Sequence, residues 1–237
     1  GALSALSDLA KTRNAAAIIH CGNFGFYGAN FMDFSRNRNL ASIVRHSALV
    51  TGQRRQRLLE LDEASFREDL KREPVSELVD FLEGRKIFSV PIYVTYGRYE
   101  DVHVLDKFTN GTYMIPNLHI IYDSNSMSLN LSPSLAPLRL LGLGGALVSN
   151  SLFDHAEADC SQAGGDGEMW ASMLQVGQVV REAKETMESG EIRVLVASVC
   201  PAVEALVGQL ALCVQVRWRA CARGLGRLLF GFLGSPL

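Results

Sequence analysis

The alternation of apolar and polar positions along the chain predicts helices that alternate with short buried strands. Apolar residues recur every three or four positions over 2–12, which is typical of one face of a helix. The next apolar run predicts a strand that enters the glycine-rich turn at 21–28. We expect these two elements to be the second half of a β-α-β unit whose first strand is missing. The predicted strands cover 15–19, 92–94, 118–123, 138–148 and 192–198.

Helical patterns fill much of the chain between these strands. Residues 37–83 mix both signs of charge, which favours helices with a solvated face over a phosphate site built from their arginines. Asp101 is placed to cap a helix that begins near Val102. Further helices are predicted at 168–191 and 202–214. This order of elements predicts an α/β protein with helices packed on the faces of its sheets.

The segment at 194–216 is apolar enough to be compared with a membrane span. Pro201 splits it and Glu204 interrupts it, whereas a spanning helix needs about 20 predominantly apolar residues. We therefore predict a strand, a turn and a buried helix. After residue 216 the arginines, glycines and bulky apolar residues follow no period. The predicted boundaries are a domain at 1–215 and an irregular basic and apolar tail at 216–237.

The composition argues against several classes of protein. The chain has 237 residues and a formal net charge of -2, with a pI of about 6.2, so no global positive field indicates a nucleic-acid partner. Its five cysteines are scattered and odd in number, which argues against a disulfide framework and for a reducing compartment. The first residues show no signal peptide. We expect a cytoplasmic or nuclear protein that is not secreted.

Glycines and polar residues gather where the predicted strands end. The loops are 22–23, 97–101, 142–145 and the turn after Val196. Ligands of open α/β sheets bind at the carboxyl ends of the strands. Loops brought together there can hold two metal ions, which lie about 3.5–4 Å apart and activate a water for phosphoester hydrolysis.

Four long stretches resemble the calcineurin-like metallophosphoesterases, and most closely a fungal branch of that family. They read AAAIIHCGNFGFYG, VPIYVTYGRYEDVHVLDKFTNGTYMIPNLHII, LRLLGLGGALVSNSLFD and GGDGEMWASMLQVGQVV. The resemblance covers residues 1 to 212, approximately, in the same order. It implies a metallo-dependent phosphatase-like α/β sandwich, with mixed sheets flanked by helices, that is incomplete at both termini. It also implies hydrolysis of phosphate mono- or diesters with a divalent metal, which would be Mn, Mg, Fe or Zn.

The resemblance implies which positions would bind the metals, and the first two motifs are altered here. The family's first motif, Asp-x-His, would lie before Gly1. Its second motif is Gly-Asp, whose carboxylate bridges both metals. In this chain it reads Gly22-Asn23, and a neutral amide cannot replace that charged bridge.

The later motifs are altered too. The family's Gly-Asn-His-Glu/Asp reads Gly97-Arg98-Tyr99-Glu100 here, with a positive charge where a metal would bind. Ser198 stands at the position of a later histidine ligand. A final Gly-x-His is represented by a segment, 224–226, that has no histidine.

Three hypotheses follow from these departures. The preferred one is a pseudoenzyme, with little or no hydrolase activity and a binding or regulatory role. The second is a residual metal-dependent phosphoesterase in which Glu100 and Asp101 hold one weakly bound Mg²⁺ or Mn²⁺. The third is a fragment of a gene model without native activity.

The other candidate positions have structural alternatives. His20 would orient the site loop, but a buried, hydrogen-bonded histidine is the preferred interpretation. Gly144 and Gly145 would let the backbone approach the site. Cys21 and Cys200 are better explained as buried thiols than as nucleophiles.

The expected partners are a phosphorylated ligand or another protein, and no nucleic acid. The basic and aromatic tail at 216–237 would suit an anionic membrane surface. A non-native tail is the preferred interpretation of that segment.

Overall fold

The computed structural model describes residues 1–28, 30–73, 75–155, 160–186, 188–222 and 228–232. Its helices are α1 (Leu3–Arg13), α2 (Phe31–Phe34), α3 (Asn37–His46), α4 (Gly52–Glu60), α5 (Glu63–Arg72), α6 (Leu78–Leu82), α7 (Val102–Thr109), α8 (Met173–Glu185) and α9 (Ala205–Cys213). Its strands are β1 (Ile18–Cys21), β2 (Ile92–Thr95), β3 (Leu118–Ile120), β4 (Ser126–Leu129), β5 (Leu138–Leu143), β6 (Gly164–Gly165), β7 (Glu168–Met169), β8 (Ile192–Ala197), β9 (Trp218–Ala222) and β10 (Leu228–Phe232).

The strands form two main sheets and one short hairpin. The first sheet is parallel and has the order β1-β2-β3, with Ile18 beside Ile92 and Ile92 beside Leu118. The second has the order β10-β9-β8-β5-β4. Its three inner strands are parallel, and each outer strand is antiparallel to its neighbour. β6 and β7 form the hairpin.

A layer of apolar side chains fills the space between the two main sheets. It includes Cys21 of β1 and both Val194 and Val196 of β8. Successive side chains of a strand point to opposite faces, so Leu195 and Ala197 lie on the other face of β8, in the cluster that α8 and α9 cover. β8 is apolar on both faces because the sheet is covered on both sides.

Helices cover the outer faces of this sandwich. α1, α6 and α7 pack on the three-stranded sheet, where Leu3, Phe81 and Leu105 share a core cluster with Ile92 and Val94. Helices α2 to α5 form a helical cluster with an apolar core of its own. The resulting architecture is α/β, with a parallel and a mixed sheet flanked by helices.

Two arginines of the helical cluster secure the ends of its helices. Arg55 donates to the carbonyl oxygens of Val44, Ser47 and Val50 at 3.2, 2.8 and 2.9 Å. Arg54 donates to two carbonyl oxygens at the end of α5, both at 3.3 Å. Because the last carbonyls of a helix have no intrahelical donor, these contacts explain both arginines without a phosphate ligand.

The apolar segment at 194–216 is divided as the sequence predicts. The strand predicted at 192–198 is β8, and the helix predicted at 202–214 is α9. α9 begins three residues later than predicted and buries only one face, with Val207, Leu210 and Ala211 inside and Leu212 66% exposed. In the part of the chain that the structure describes, no helix is both long and apolar enough to cross a bilayer.

The predicted start of the helix at 168 was wrong. Residues 168–169 pair with 164–165 as a hairpin, and α8 begins at Met173. Ser172 accepts a hydrogen bond from the amide of Gln175, and the Gln175 side chain accepts one from the amide of Ser172 at 2.8 Å. This reciprocal cap fixes the first residue of α8.

The prediction of an irregular segment at 216–237 was also wrong where the structure describes it. β9 pairs parallel to β8, and β10 pairs antiparallel to β9. Ala220 and Cys221 point to opposite faces of β9 and both are buried, so the strand lacks the alternation that reveals a half-exposed strand. Residues 223–227 and 233–237 of the predicted tail lie outside the described residues.

Candidate functional site

Three of the predicted site loops meet at Gly22. Its backbone has a φ of 95°, a conformation that favours glycine. A Cβ atom at this position would lie 2.9 Å from Cα of Gly97 and 3.0 Å from Cβ of Ser198. The ends of β1, β2 and β8 therefore come so close that a side chain at residue 22 would separate them.

The fourth predicted loop lies against the same point. A Cβ atom on Gly144 would collide with the ring of Tyr96. The amide of Gly145 donates to the carbonyl of Tyr96 at 3.0 Å, and the Ser198 hydroxyl donates to the carbonyl of Gly145. The structure thus places Gly22, Gly97, Gly144, Gly145 and Ser198 in one strand-end cluster.

Asn23 occupies the turn where the resemblance implies a bridging carboxylate. Its φ of 53° is left-handed, a conformation that asparagine tolerates better than most residues. Its Oδ1 accepts a hydrogen bond from the amide of Tyr99 at 3.4 Å. The amide side chain therefore joins the first site loop to the second.

The Glu100 side chain points into the protein and holds backbone amides. It is fully buried, and its Oε1 accepts from the amides of Gly25 at 2.8 Å and Phe26 at 3.4 Å. Its Oε2 accepts from the amide of Gly97. Burial raises the pKa of this carboxyl, and the amide donors partly offset that rise.

Asp101 has a similar internal role at the start of α7. Its Oδ1 accepts from the amide of His103 at 3.0 Å, and its Oδ2 accepts from the amide of Gly28 at 3.3 Å. Burial raises the pKa of the Asp101 carboxyl. The predicted helix cap is confirmed, and the same side chain also ties α7 to the glycine-rich turn.

Arg98 is engaged by an acidic side chain across the cluster. Its Nε donates to Glu168 Oε1 at 2.5 Å, and its guanidinium lies 5.4 Å from the centre of the Tyr99 ring. The side chain is 44% exposed. The positive charge of Arg98 is therefore balanced by the carboxylate of Glu168 in β7.

His20 differs from the hydrogen-bonded histidine that the sequence favoured. Its Nδ1 is buried and has no hydrogen-bond partner among the described residues. The ring packs edge-on against Phe24, with centroids 5.3 Å apart. Burial lowers the pKa of His20 to about 4, with the amino group of Gly1 as a smaller cause, so the imidazole is neutral near pH 7.

A cavity of about 170 Å³ opens beside these loops. His20, Asn23 and Tyr99 line it together with His46, the last residue of α3, and Ser47, the residue after it. The complete lining is Gly1, Ala2, His20, Gly22, Asn23, Tyr27, Ile43, His46, Ser47, Ala48, Val75 and Tyr99. Sequence reasoning missed His46 and Ser47, because only the packing of α3 brings residues so far along the chain to this turn.

A buried polar network behind the cluster was also missed. Gln175 donates from Nε2 to the hydroxyl of Tyr96 and to Oε1 of Gln162, both at 2.8 Å, and Oδ1 of Asp123 lies 3.5 Å from the same nitrogen. Burial raises the pKa of Asp123. The spacing of Ser172 and Gln175 was the one visible signal, because Ser-x-x-Gln is a helix-capping pattern.

The residues at the strand ends do not fit a two-metal centre. Such a centre needs carboxylates and imidazoles that direct free atoms at one point. Asn23 offers a neutral amide, Ser198 donates to a carbonyl, and both oxygens of Glu100 accept from backbone amides. Within the described residues, no group of three or more His, Cys, Asp and Glu side chains is arranged to hold a metal ion.

Comparisons with known proteins bear on the fold alone. No protein-family model matches the chain. No curated protein matches it in sequence. A crystal structure of an uncharacterised protein superposes with a TM-score of 0.51 and 11% sequence identity, over 93% of this chain and 78% of that one. The chain therefore shares an α/β architecture of mixed sheets and flanking helices with a solved structure.

Proposed function

We propose that this chain is a metallophosphoesterase-like protein that has little or no hydrolase activity and serves as a binding or regulatory protein. The observation that carries the proposal is that the side chains at the implied metal-ligand positions form hydrogen bonds within the protein. Asn23, Glu100, Asp101 and Ser198 each make a hydrogen bond that joins or braces the loops. Side chains that hold the scaffold together in this way are not available to hold a metal pair.

The energetic cost of recruiting Glu100 to a metal supports this proposal. Rotating its carboxylate outward would leave the amides of Gly25, Phe26 and Gly97 without their acceptor. Each buried donor left unpaired costs about 1–3 kcal/mol. A single weakly bound cation does not offset several such losses, so the residual-phosphoesterase hypothesis is less favoured.

The cavity beside the turn is the place where we propose that a ligand binds. The Asn23 amide, the hydroxyls of Tyr99 and Ser47, and the imidazoles of His20 and His46 can donate hydrogen bonds. The resemblance to phosphoesterases points to a phosphorylated ligand. No Lys or Arg side chain is among the lining residues, so free phosphate should bind weakly.

Two titrations on one matched pair of proteins test the proposal. The native protein and the Asn23→Asp variant are titrated with inorganic phosphate, and the imidazole signals of His20 and His46 are followed by NMR. We expect weak binding to the native protein and weaker binding to the variant, because the added carboxylate repels the anion. No shift of either imidazole signal would count against a phosphate site in this cavity.

The same two proteins are then assayed with Mn²⁺ and p-nitrophenyl phosphate. We expect no saturable Mn²⁺ binding and no hydrolysis above background by the native protein. Mn²⁺-dependent hydrolysis that disappears in Glu100→Ala, in protein shown by circular dichroism to be folded, would overturn the proposal and support the residual phosphoesterase.

A further inference from the structure

We propose that the open edge of β1 pairs with the same edge of a second copy of this chain, so that two three-stranded sheets join into one sheet of six strands. In the part of the chain that the structure describes, β1 has a neighbouring strand on one side only, because the sheet order is β1-β2-β3. An edge strand presents backbone donors and acceptors that another strand can bind.

The backbone groups on the open side of β1 belong to Ile19 and Cys21. The amide of Ile18 donates to the carbonyl of Pro91 at 2.9 Å, so residue 18 faces β2. In a parallel ladder, alternate residues bond to the same neighbouring strand. His20 therefore also faces β2, and the N–H and C=O groups of Ile19 and Cys21 face away from it. A further strand would bind to those outward groups.

Side-chain exposure is consistent with an open edge. Ile92 and Val94 of the central strand β2 are 0% exposed. Ile18 and Ile19 of β1 are half-buried, although their side chains are as apolar as those of β2. Part of their apolar surface is in contact with water, and removing it from water by pairing would be favourable.

Two other edge strands have local contacts at their ends, and β1 does not. At β3, the amide of Leu118 donates to the carbonyl of its own turn at 3.2 Å. Nδ2 of Asn125 lies 3.5 Å from the carbonyl oxygen of Ile120. At β4, a glutamate of α8 accepts from the first amide of the strand at 2.9 Å. Within the described residues, no comparable contact reaches the outward groups of Ile19 and Cys21.

The two faces of β1 define the chemistry of the strand that would fit beside it. Ile19 packs against the layer between the two main sheets. Ile18 packs against the cluster that lies under α1. An added strand would continue both layers, so its side chains must be apolar on both faces. The β1 strand of a second copy has this property.

A second copy fits this edge because β1 is complementary to itself. In an antiparallel pair centred on Ile19, the two Ile19 residues face each other, and Ala17 faces Cys21 of the second copy. Outward groups then meet outward groups, as the hydrogen-bonded pairs of an antiparallel ladder require. No Lys, Arg, Asp or Glu lies between residues 15 and 21, so like charges of these types do not oppose each other across the pair.

This interface is separate from the proposed ligand site. The cavity lies at the carboxyl end of β1, and Ile19 is not among its lining residues. Because the paired strands run in opposite directions, the cavities of the two copies would lie at opposite ends of the joined strands. Failure of phosphate to bind would leave the pairing intact, and a monomeric protein could still bind phosphate.

Sedimentation equilibrium of the native protein tests the pairing. A reducing agent prevents the exposed Cys213 and the half-buried Cys200 from linking copies. We expect the mean mass to rise with concentration from 25.9 kDa toward twice that value, because a small interface forms a weak dimer. A mean mass that stays at 25.9 kDa up to about 1 mM protein would overturn the proposal. So would growth beyond two copies, since pairing of identical edges is closed.

Two lysine variants identify the edge that pairs. In Ile19→Lys, the charges of the two copies would face each other, so we expect the association constant to fall at least about tenfold. Met127→Lys is the matched control, because Met127 is also half-buried, on the edge strand β4, against the same apolar layer. It should leave association unchanged. An unchanged constant in Ile19→Lys, or an equal fall in both variants, would contradict pairing through β1.

Hydrogen exchange of the native protein gives a check that needs no variant. The amides of Ile19 and Cys21 should exchange more slowly as the protein concentration rises, because pairing gives them acceptors. The amides of Ile18 and His20 already face β2 and should change much less. Amide-resolved NMR follows all four. Protection of the Ile19 amide that does not depend on concentration would mean that the same chain covers this edge, and the proposal would fail.

Discussion

The imidazole of His20 is held in its neutral form by burial, which lowers its pKa to about 4 from a usual 6.5. Between those values the unfolded chain binds more protons than the folded one, so stability is lost as the pH falls through this window. We expect the native protein to lose about 2 kcal/mol more unfolding free energy than His20→Gln between about pH 7 and pH 5. Urea unfolding of both proteins at the two pH values measures this loss. Equal losses in the two proteins would contradict a neutral, buried His20.

Glu100 illustrates how an acidic residue can serve the backbone. Its carboxylate accepts from amides of two different loops. In Glu100→Gln, the side-chain NH₂ group would face a backbone N–H donor. We expect this variant to lose about 1–3 kcal/mol of unfolding free energy at neutral pH. Urea denaturation compares it with Glu185→Gln, an exposed helix position, whose effect should be under about 0.5 kcal/mol.

Sequence could reveal the chemical type of these residues but not where their side chains point. The Asp101 cap was predictable, because a cap depends on neighbours along the chain. The Glu100 contacts were not, since Gly25 and Phe26 are 75 and 74 residues away. Sequence could not show either that Nδ1 of His20 has no hydrogen-bond partner within the described part of the chain. At the residue scale, local chemistry was predictable and long-range hydrogen bonding was not.

At the scale of elements, the strands that were found contain consecutive large apolar residues, whereas β4 and β9 do not. β8 was predicted because its apolar residues are consecutive. β4 was missed, since three of its four residues are not buried and two are serines. β9 was missed because arginines flank a stretch of small buried residues. The observed start of α8 lies after the predicted one, because residues 168–169 pair in the hairpin.

A substitution in β9 tests whether that strand completes the sandwich. Ala220 is fully buried in the layer between the sheets. We expect Ala220→Asp to lose at least about 3 kcal/mol of unfolding free energy, because it buries a carboxylate without a partner. Arg217→Gln, at an exposed position one residue before the strand, should change it by less than about 0.5 kcal/mol. Urea denaturation of both variants measures the contrast, and equal effects would indicate that the segment is irregular after all.

At the scale of the whole molecule, the meeting of the four loops was predictable and the cavity was not. Parallel strands carry their carboxyl ends to a common edge, so the loops after β1, β2, β5 and β8 were expected to lie together. The far wall of the cavity comes from the end of α3, whose position depends on the packing of the helical cluster. No motif marks His46 or Ser47. A scaffold can thus be inferred from strand order, while the pocket it carries depends on tertiary contacts.

The Asn23→Asp variant tests whether this scaffold is one residue away from a metal site. It supplies the carboxylate that the resemblance places at this turn, in a left-handed conformation that aspartate also tolerates. We expect isothermal titration with Mn²⁺ to show no saturable binding, because the carboxylates of Glu100 and Asp101 remain bound to backbone amides and Ser198 provides no imidazole. Asn23→Ser, which adds no charge, is the control for non-specific association. Saturable binding to Asn23→Asp alone would mean that the remaining side chains can rearrange into a metal centre. The absence of a carboxylate at residue 23 would then be what prevents the native protein from binding metal.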